Sequence, residues 1–133
     1  MRKIPNFFKC TECSTLVEAL NPQCCDEMSC CGKPMEMLQP NLSGKLSSKH
    51  LPVVKCDGSI LTVYVGNILH PMTNDHCIKW IELVGNGFEK RINLKCGNDP
   101  IVTFHLSEYE RVLSVYAYCN VHGLWRTSLD IKQ

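Results

Sequence analysis

Beyond residue 52 the chain alternates short apolar runs with clusters of turn-forming residues. Residues 53–56 and 60–65 flank Asp57-Gly58, and residues 78–84 and 88–94 flank Gly85-Asn86-Gly87. Asp-Gly and Asn-Gly supply the positive φ angles that tight hairpins need, so each pair of runs predicts a β-hairpin. Residues 101–106 and 112–118 are two further β-rich runs, and 124–131 predicts another. No segment sustains an apolar period of 3.6 residues, which argues against long helices. Within 101–106, His105 alternates with Val102, Phe104 and Leu106, which places it on the face opposite theirs.

About seven short strands in roughly 95 residues predict an all-β domain, an antiparallel sandwich of immunoglobulin-like type. The first 38 residues read differently. Their apolar stretches, Phe7-Phe8 and Leu16-Val17, are too small to bury a core, so this segment needs a staple such as a metal. Residues 39–48, with Pro40, Ser43, Gly44, Ser47 and Ser48, read as a linker. The expected organisation is a small metal-stapled domain over 1–38 and a sandwich over 39–133.

Composition narrows the function classes. The 133 residues are 44% hydrophobic and 20% charged with a net charge of +1, which describes a folded chain and argues against a basic nucleic-acid binder. Met1-Arg2-Lys3 is followed by no apolar signal region, and no segment is apolar for long enough to span a bilayer. The expected location is the cytoplasm. Ten cysteines are unusual there, because the cytosol keeps thiols reduced, and metal ligation is the favoured explanation.

Six of the ten fall between Cys10 and Cys31. Cys10-Thr11-Glu12-Cys13 is a C-x-x-C knuckle, and Cys30-Cys31, followed by Gly32-Lys33-Pro34, supplies a second pair. Four thiolates make a tetrahedral site suited to zinc or a single iron. Cys24-Cys25 is a rival vicinal pair. Cys30-Cys31 is favoured because Gly32 and Pro34 are turn residues able to fold the chain around an ion, whereas Cys24-Cys25 leads into Asp26-Glu27.

Four of the five histidines sit beside turn residues or strand ends. His50 precedes Leu51-Pro52, His70 is followed by Pro71, His76 begins a strand after Asn74-Asp75, and Cys119-Asn120-Val121-His122 is a C-x-x-H loop. Loops at one end of a rigid sandwich can converge on a point. Singly, each histidine is more often a structural residue than a ligand. Together with Cys119 they offer five N and S donors, more than the four of a structural zinc site, and such a set suits iron with one position vacant. Lys49 directly precedes His50, where its ammonium would attract an anion and help deliver protons.

At this point the sequence resembles the superoxide reductases, and among them the desulfoferrodoxin type. The likeness covers nearly the whole chain. It rests on Phe8-Lys9-Cys10-Thr11-Glu12-Cys13, Cys30-Cys31-Gly32-Lys33-Pro34-Met35, Lys49-His50-Leu51-Pro52-Val53, His70-Pro71-Met72 with His76, Trp80-Ile81-Glu82-Leu83, and Tyr118-Cys119-Asn120-Val121-His122-Gly123-Leu124-Trp125. The resemblance implies a desulforedoxin-like iron, with zinc as the alternative metal, held by Cys10, Cys13, Cys30 and Cys31. It implies a catalytic iron among His50, His70, His76 and His122 with Cys119 axial. Superoxide would be reduced to hydrogen peroxide there, with Lys49 steering the anion, a rubredoxin-like protein donating electrons, and a homodimer as the assembly.

Two departures matter. Many members carry Glu directly before this lysine, where it closes the sixth position of the oxidised iron; here the residue is Ser48, too short to do so. The oxidised site is therefore expected to be open to small anions such as azide. Cys77, directly after His76, is the other departure, together with the extra Cys24, Cys25, Cys56 and Cys96; Cys77 is expected to point away from the metal. Two competing readings are a non-catalytic iron electron-transfer protein and a zinc-stapled binding module.

Overall fold

The computed structural model describes residues 5–20 and 28–132, with side chains to Leu129. Cys24 and Cys25 lie outside the described residues. The chain divides into two compact units at Gln39/Pro40.

The first unit is built from β1 (Asn6–Lys9), β2 (Leu16–Ala19), β3 (Ser29–Cys30), β4 (Lys33–Pro34) and β5 (Glu36–Met37). β1 is central in a three-stranded sheet, antiparallel to β2 on one side and β5 on the other. β3 and β4 form a separate hairpin, pairing Ser29 with Pro34 and Cys30 with Lys33. Only Cys31 and Gly32 close its loop, at φ 55° and 74°. A two-residue loop with both φ values positive matches the twist of the flanking strands, and glycine carries the second position without strain.

The second unit contains one helical turn, α1 (Ser47–His50), and seven strands: β6 (Pro52–Asp57), β7 (Ile60–Val65), β8 (Ile78–Gly85), β9 (Glu89–Asn93), β10 (Ile101–His105), β11 (Arg111–Cys119) and β12 (Gly123–Lys132). The strands form two antiparallel sheets, in the orders β10-β7-β6 and β12-β11-β8-β9. Alternation decides what faces inward. Leu61, Val63 and Val65 of β7, Ile81 and Leu83 of β8, and Val102 and Phe104 of β10 share one core, while His105 is exposed. In β11 the inward residues are Val112, Val115, Ala117 and Cys119. The spacing of three between the first two is absorbed by an irregularity in the ladder at Val112/Ser114, a β-bulge that restores the alternation. Each buried Val, Leu, Ile or Phe side chain contributes about 1.5–3 kcal/mol on burial.

Two segments depart from the sequence reading. Residues 39–48 are partly ordered rather than a plain linker: the Asn41 and Arg126 N–H groups donate to Leu124 O and Asn41 O at 2.8 and 3.1 Å, which fixes Asn41 to β12. Residues 47–50 form α1, too short to leave a 3.6-residue period, and Pro52 prevents its continuation. His76 does not begin a strand. It closes a turn with Thr73, and β8 starts two residues later.

Candidate metal centres

In the first unit the sulfurs of Cys10, Cys13, Cys30 and Cys31 all lie within 4.8 Å of one another. The knuckle is shaped by its own backbone, since the N–H groups of Glu12 and Cys13 point at Cys10 Sγ at 3.3 and 3.4 Å. The tight hairpin turns the adjacent Cys30 and Cys31 to the same side, with their sulfurs 3.9 Å apart, and Cys13 Sγ is 3.8 Å from Cys30 Sγ. Lys33 Nζ, 3.2 Å from Glu12 Oε1, ties hairpin to knuckle.

The thiols resist shedding their protons together. The Thr15 hydroxyl, 3.1 Å from Cys13 Sγ, brings that thiol down to about 6, whereas Cys13 and Cys30 push Cys31 up to about 12 and Cys10 pushes Cys30 up. One thiolate is stabilised at the others' expense. Four would need a cation among them, so the donor set fits a thiophilic metal.

In the second unit the site stands at one end of the sandwich, where α1, the loop between β7 and β8, and the turn between β11 and β12 meet. The imidazole centroids of neighbours around the ring are 4.5 Å apart for His50–His70, 4.6 Å for His70–His76, 5.0 Å for His76–His122 and 4.9 Å for His122–His50. The diagonal His50–His76 is 6.4 Å. Four near-equal edges with a diagonal longer by close to the square root of two describe a square. Adjacent rings stand edge-on and the diagonal pair lies only 29° from parallel, as four ligands pointing at one centre require. Cys119 Sγ is 3.4 Å from His70 Nε2 and within 4.8 Å of a ligand atom of each of the other three histidines. An atom within reach of all four corners sits over the square.

Hydrogen bonds show which ring nitrogens are left for a metal. His50 Nδ1 lies 2.8 Å from Leu46 O and His70 Nδ1 lies 2.6 Å from Pro71 O. Carbonyl oxygens only accept, so both Nδ1 atoms carry the hydrogen. The two Nε2 atoms, 3.1 Å apart, then present lone pair to lone pair, which a cation between them would relieve. His76 Nε2 and His122 Nδ1 are buried with no hydrogen-bond partner among the described residues. Burial holds His70 down at about 4 and lowers His50 and His76, so these rings are neutral ligands at pH 7. Burial raises the Cys119 thiol, opposed by the His122 N–H at 3.3 Å from its sulfur. The five donors fit a metal that takes N and S ligands and displaces one thiol proton.

Residues 43–128 match the family model described as Desulfoferrodoxin, well over half of the chain. The chain belongs to the desulfoferrodoxin family of superoxide reductases. A desulfoferrodoxin homolog from Archaeoglobus fulgidus is 35% identical over 127 residues, covering 96% of this chain and 99% of that protein. The desulfoferrodoxin of Syntrophotalea carbinolica is 41% identical over 118 residues, covering 89% and 91%. Among solved structures, the superoxide reductase from Treponema pallidum superposes with a TM-score of 0.81 at 28% identity, covering 94% of this chain and 98% of that one. This family member thus has two metal-binding sites, one of four cysteines and one of four histidines with a cysteine, both consistent with iron.

The structure brings together the cysteines and histidines singled out from the sequence, but sequence reasoning overlooked what aims them. Trp125 stacks on His50 at 4.9 Å, and its Nε1 donates to His122 O at 3.0 Å. Asn120 clamps two ligand loops, its Oδ1 accepting from Cys77 N and its Nδ2 donating to Asp75 O, both at 3.0 Å. Gly66 lets the β7–β8 loop press on α1: a Cβ there would stand 2.8 Å from Ser48 O. Asn120 and Trp125 both lie in the 118–125 motif quoted from the sequence, whereas Gly66 carried no signal there. Lys49 is exposed beside His50, near enough to lower its pKa by charge. Cys77 stays out of the donor set, because it is disulfide-bonded to Cys96. No described helix is long and apolar enough to cross a membrane.

Proposed function

We propose that the chain reduces superoxide to hydrogen peroxide one electron at a time at the histidine-rich site, with His50, His70, His76, His122 and Cys119 holding iron. The observation that supports this most is the square of imidazoles with a single buried sulfur within reach of all four: five N and S donors, one fewer than a six-coordinate iron takes. Ferrous iron bound there supplies the electron, and the thiolate makes it a better donor.

The chain's own residues do the rest. Lys49, exposed at the end of α1, draws the superoxide anion toward the site and is one source of the two protons that peroxide needs. The carbonyls of Leu46 and Pro71 keep hydrogen on Nδ1 of His50 and His70, so Nε2 would be the nitrogen each ring offers a metal. The His122 N–H on Cys119 Sγ tempers the charge of the thiolate. Ser48 takes the place of the family's glutamate and leaves the open side unblocked in the oxidised protein. Cys10, Cys13, Cys30 and Cys31 hold the other metal, iron or zinc, in a closed set of four. A rubredoxin-like protein supplies electrons, and a homodimer is the assembly.

The test is pulse-generated superoxide mixed with reduced protein. Each superoxide consumed should oxidise one ferrous histidine-rich site, yielding one peroxide and no dioxygen. Dioxygen evolution would indicate a dismutase, and a colourless protein with two zinc ions would end the redox reading.

A further inference from the structure

Two cysteines unused by either metal site are joined to each other one residue along the chain from one of the imidazoles. Cys77 directly follows His76, is fully buried, and is disulfide-bonded to Cys96 with the Cα atoms 5.7 Å apart. Cys96 is only half-buried, in the loop after β9. That loop is docked independently of the sulfurs. Leu94 N donates to Lys79 O at 2.9 Å, and Gly97 N donates to Met72 O at 2.7 Å. Met72 Sδ in turn accepts from Ile78 N at 3.3 Å. The pairing is selective, since Cys10, Cys13, Cys30, Cys31, Cys56 and Cys119 keep free thiols.

We propose that Cys77 and Cys96 are a peroxide-responsive thiol–disulfide couple whose closure fastens the segment carrying His76 to the β9–β10 loop. The role of peroxide as oxidant rests on the superoxide reductase reading, which has it released at the site that His76, the residue before Cys77, lines. Exposure sets the order of events. Cys96, the reachable sulfur, attacks one peroxide oxygen as thiolate; the O–O bond breaks, hydroxide leaves and takes up a proton, and Cys96 becomes a sulfenic acid. The Cys77 sulfur then forms the S–S bond, and the sulfenic oxygen leaves as a second water. Two thiols and one peroxide become one disulfide and two waters, with two electrons passing from sulfur to oxygen.

The mechanical consequence follows from the chain path. Residues 73–77 are held by Thr73 with His76 and by Asn120 with Asp75 and Cys77. A covalent tie at residue 77 removes the remaining freedom one residue from an imidazole of the square. Metal should then leave more slowly from the oxidised form, and a thiol reductant should restore the looser one.

The experiment uses the iron-loaded full chain, reduced with a dithiol, freed of it, and treated with added hydrogen peroxide. Free thiols are alkylated, peptides mapped by mass spectrometry, and iron loss from the histidine-rich site to a chelator timed. A peptide linked through Cys77 and Cys96 is expected, with iron loss about tenfold slower than in the reduced protein. Cys96→Ser should lose both effects, with Cys96→Ala as the second variant should serine disturb folding. Both cysteines remaining alkylatable after peroxide would overturn the couple, and equal iron loss in linked and unlinked protein would overturn the fastening. Added peroxide bypasses superoxide chemistry, so neither failure is confused with failure of the reductase reading.

Discussion

The four thiols of residues 10–31 sit on a knuckle and a two-residue hairpin with Cys13 and Cys31 exposed, whereas the imidazoles of His50 and His70, at the end of the sandwich, are only 2% exposed. The contrast follows from the donors. Thiolates bind by their charge, tolerate water, and close a shell of four. Neutral imidazoles must be held together by the scaffold, and the burial that holds them also keeps them neutral. A cluster that supplies its own attraction can be local; one whose attraction must be arranged needs a core behind it.

Removing the single charged donor of the buried site should have the largest effect. Cys119→Ser is expected to lower superoxide consumption in pulse experiments by more than about 100-fold, while the colour of the four-cysteine site persists. The converse variant, Cys13→Ser, should abolish the four-cysteine chromophore and leave superoxide consumption within about threefold. A large loss of activity there would mean that the two clusters are not independent.

Smaller effects test whether the scaffold arranges the square. Gly66→Ala must push a Cβ against Ser48 O, Leu51 O and the Lys49 carbonyl carbon, at 2.8, 3.0 and 3.0 Å, so α1 must move. The expected cost in urea unfolding is about 1–3 kcal/mol, with faster iron loss from the histidine-rich site only. Asn120→Ala, which strips the clamp from the His76 and Cys119 loops, should cost about 1–2 kcal/mol and likewise spare the four-cysteine site.

The smallest effect lies in a sandwich pair that belongs to neither cluster. Lys90 Nζ at 2.8 Å and Ser107 N at 2.9 Å lower the pKa of Glu110. A carboxyl lowered on folding adds stability above its unfolded pKa, and that stability is lost as pH falls through the folded value. Because the pair is partly exposed, Glu110→Gln should cost only about 0.5 kcal/mol at pH 7, vanishing in acid denaturation below the carboxylate range. Iron loss from both sites should be unchanged.

Much of this was legible in the residues. The two hairpins form where the turn residues predicted them, with Gly58 and Gly87 at positive φ, although Asp57 and Gly85 end the strands β6 and β8 instead of standing in the loops; His105 is exposed while Val102, Phe104 and Leu106 are buried. α1 was not legible, because a single turn carries no period. The turn at Thr73–His76 was not either, because it is closed by backbone hydrogen bonds between Thr73 and His76 that no residue pattern announces.

The sequence by itself determined the strands, the hairpin that bends Cys30-Cys31 toward the knuckle, and the kinds of donor available. These depend on residues within a few positions of one another, where φ preference and alternation operate. Only the tertiary structure decided that four histidines from three separate segments make a square with Cys119 over it, which ring nitrogen each of His50 and His70 leaves free, and that Cys77 pairs with Cys96. Those outcomes depend on where packed sheets bring their loops, and no local rule along the chain carries that distance.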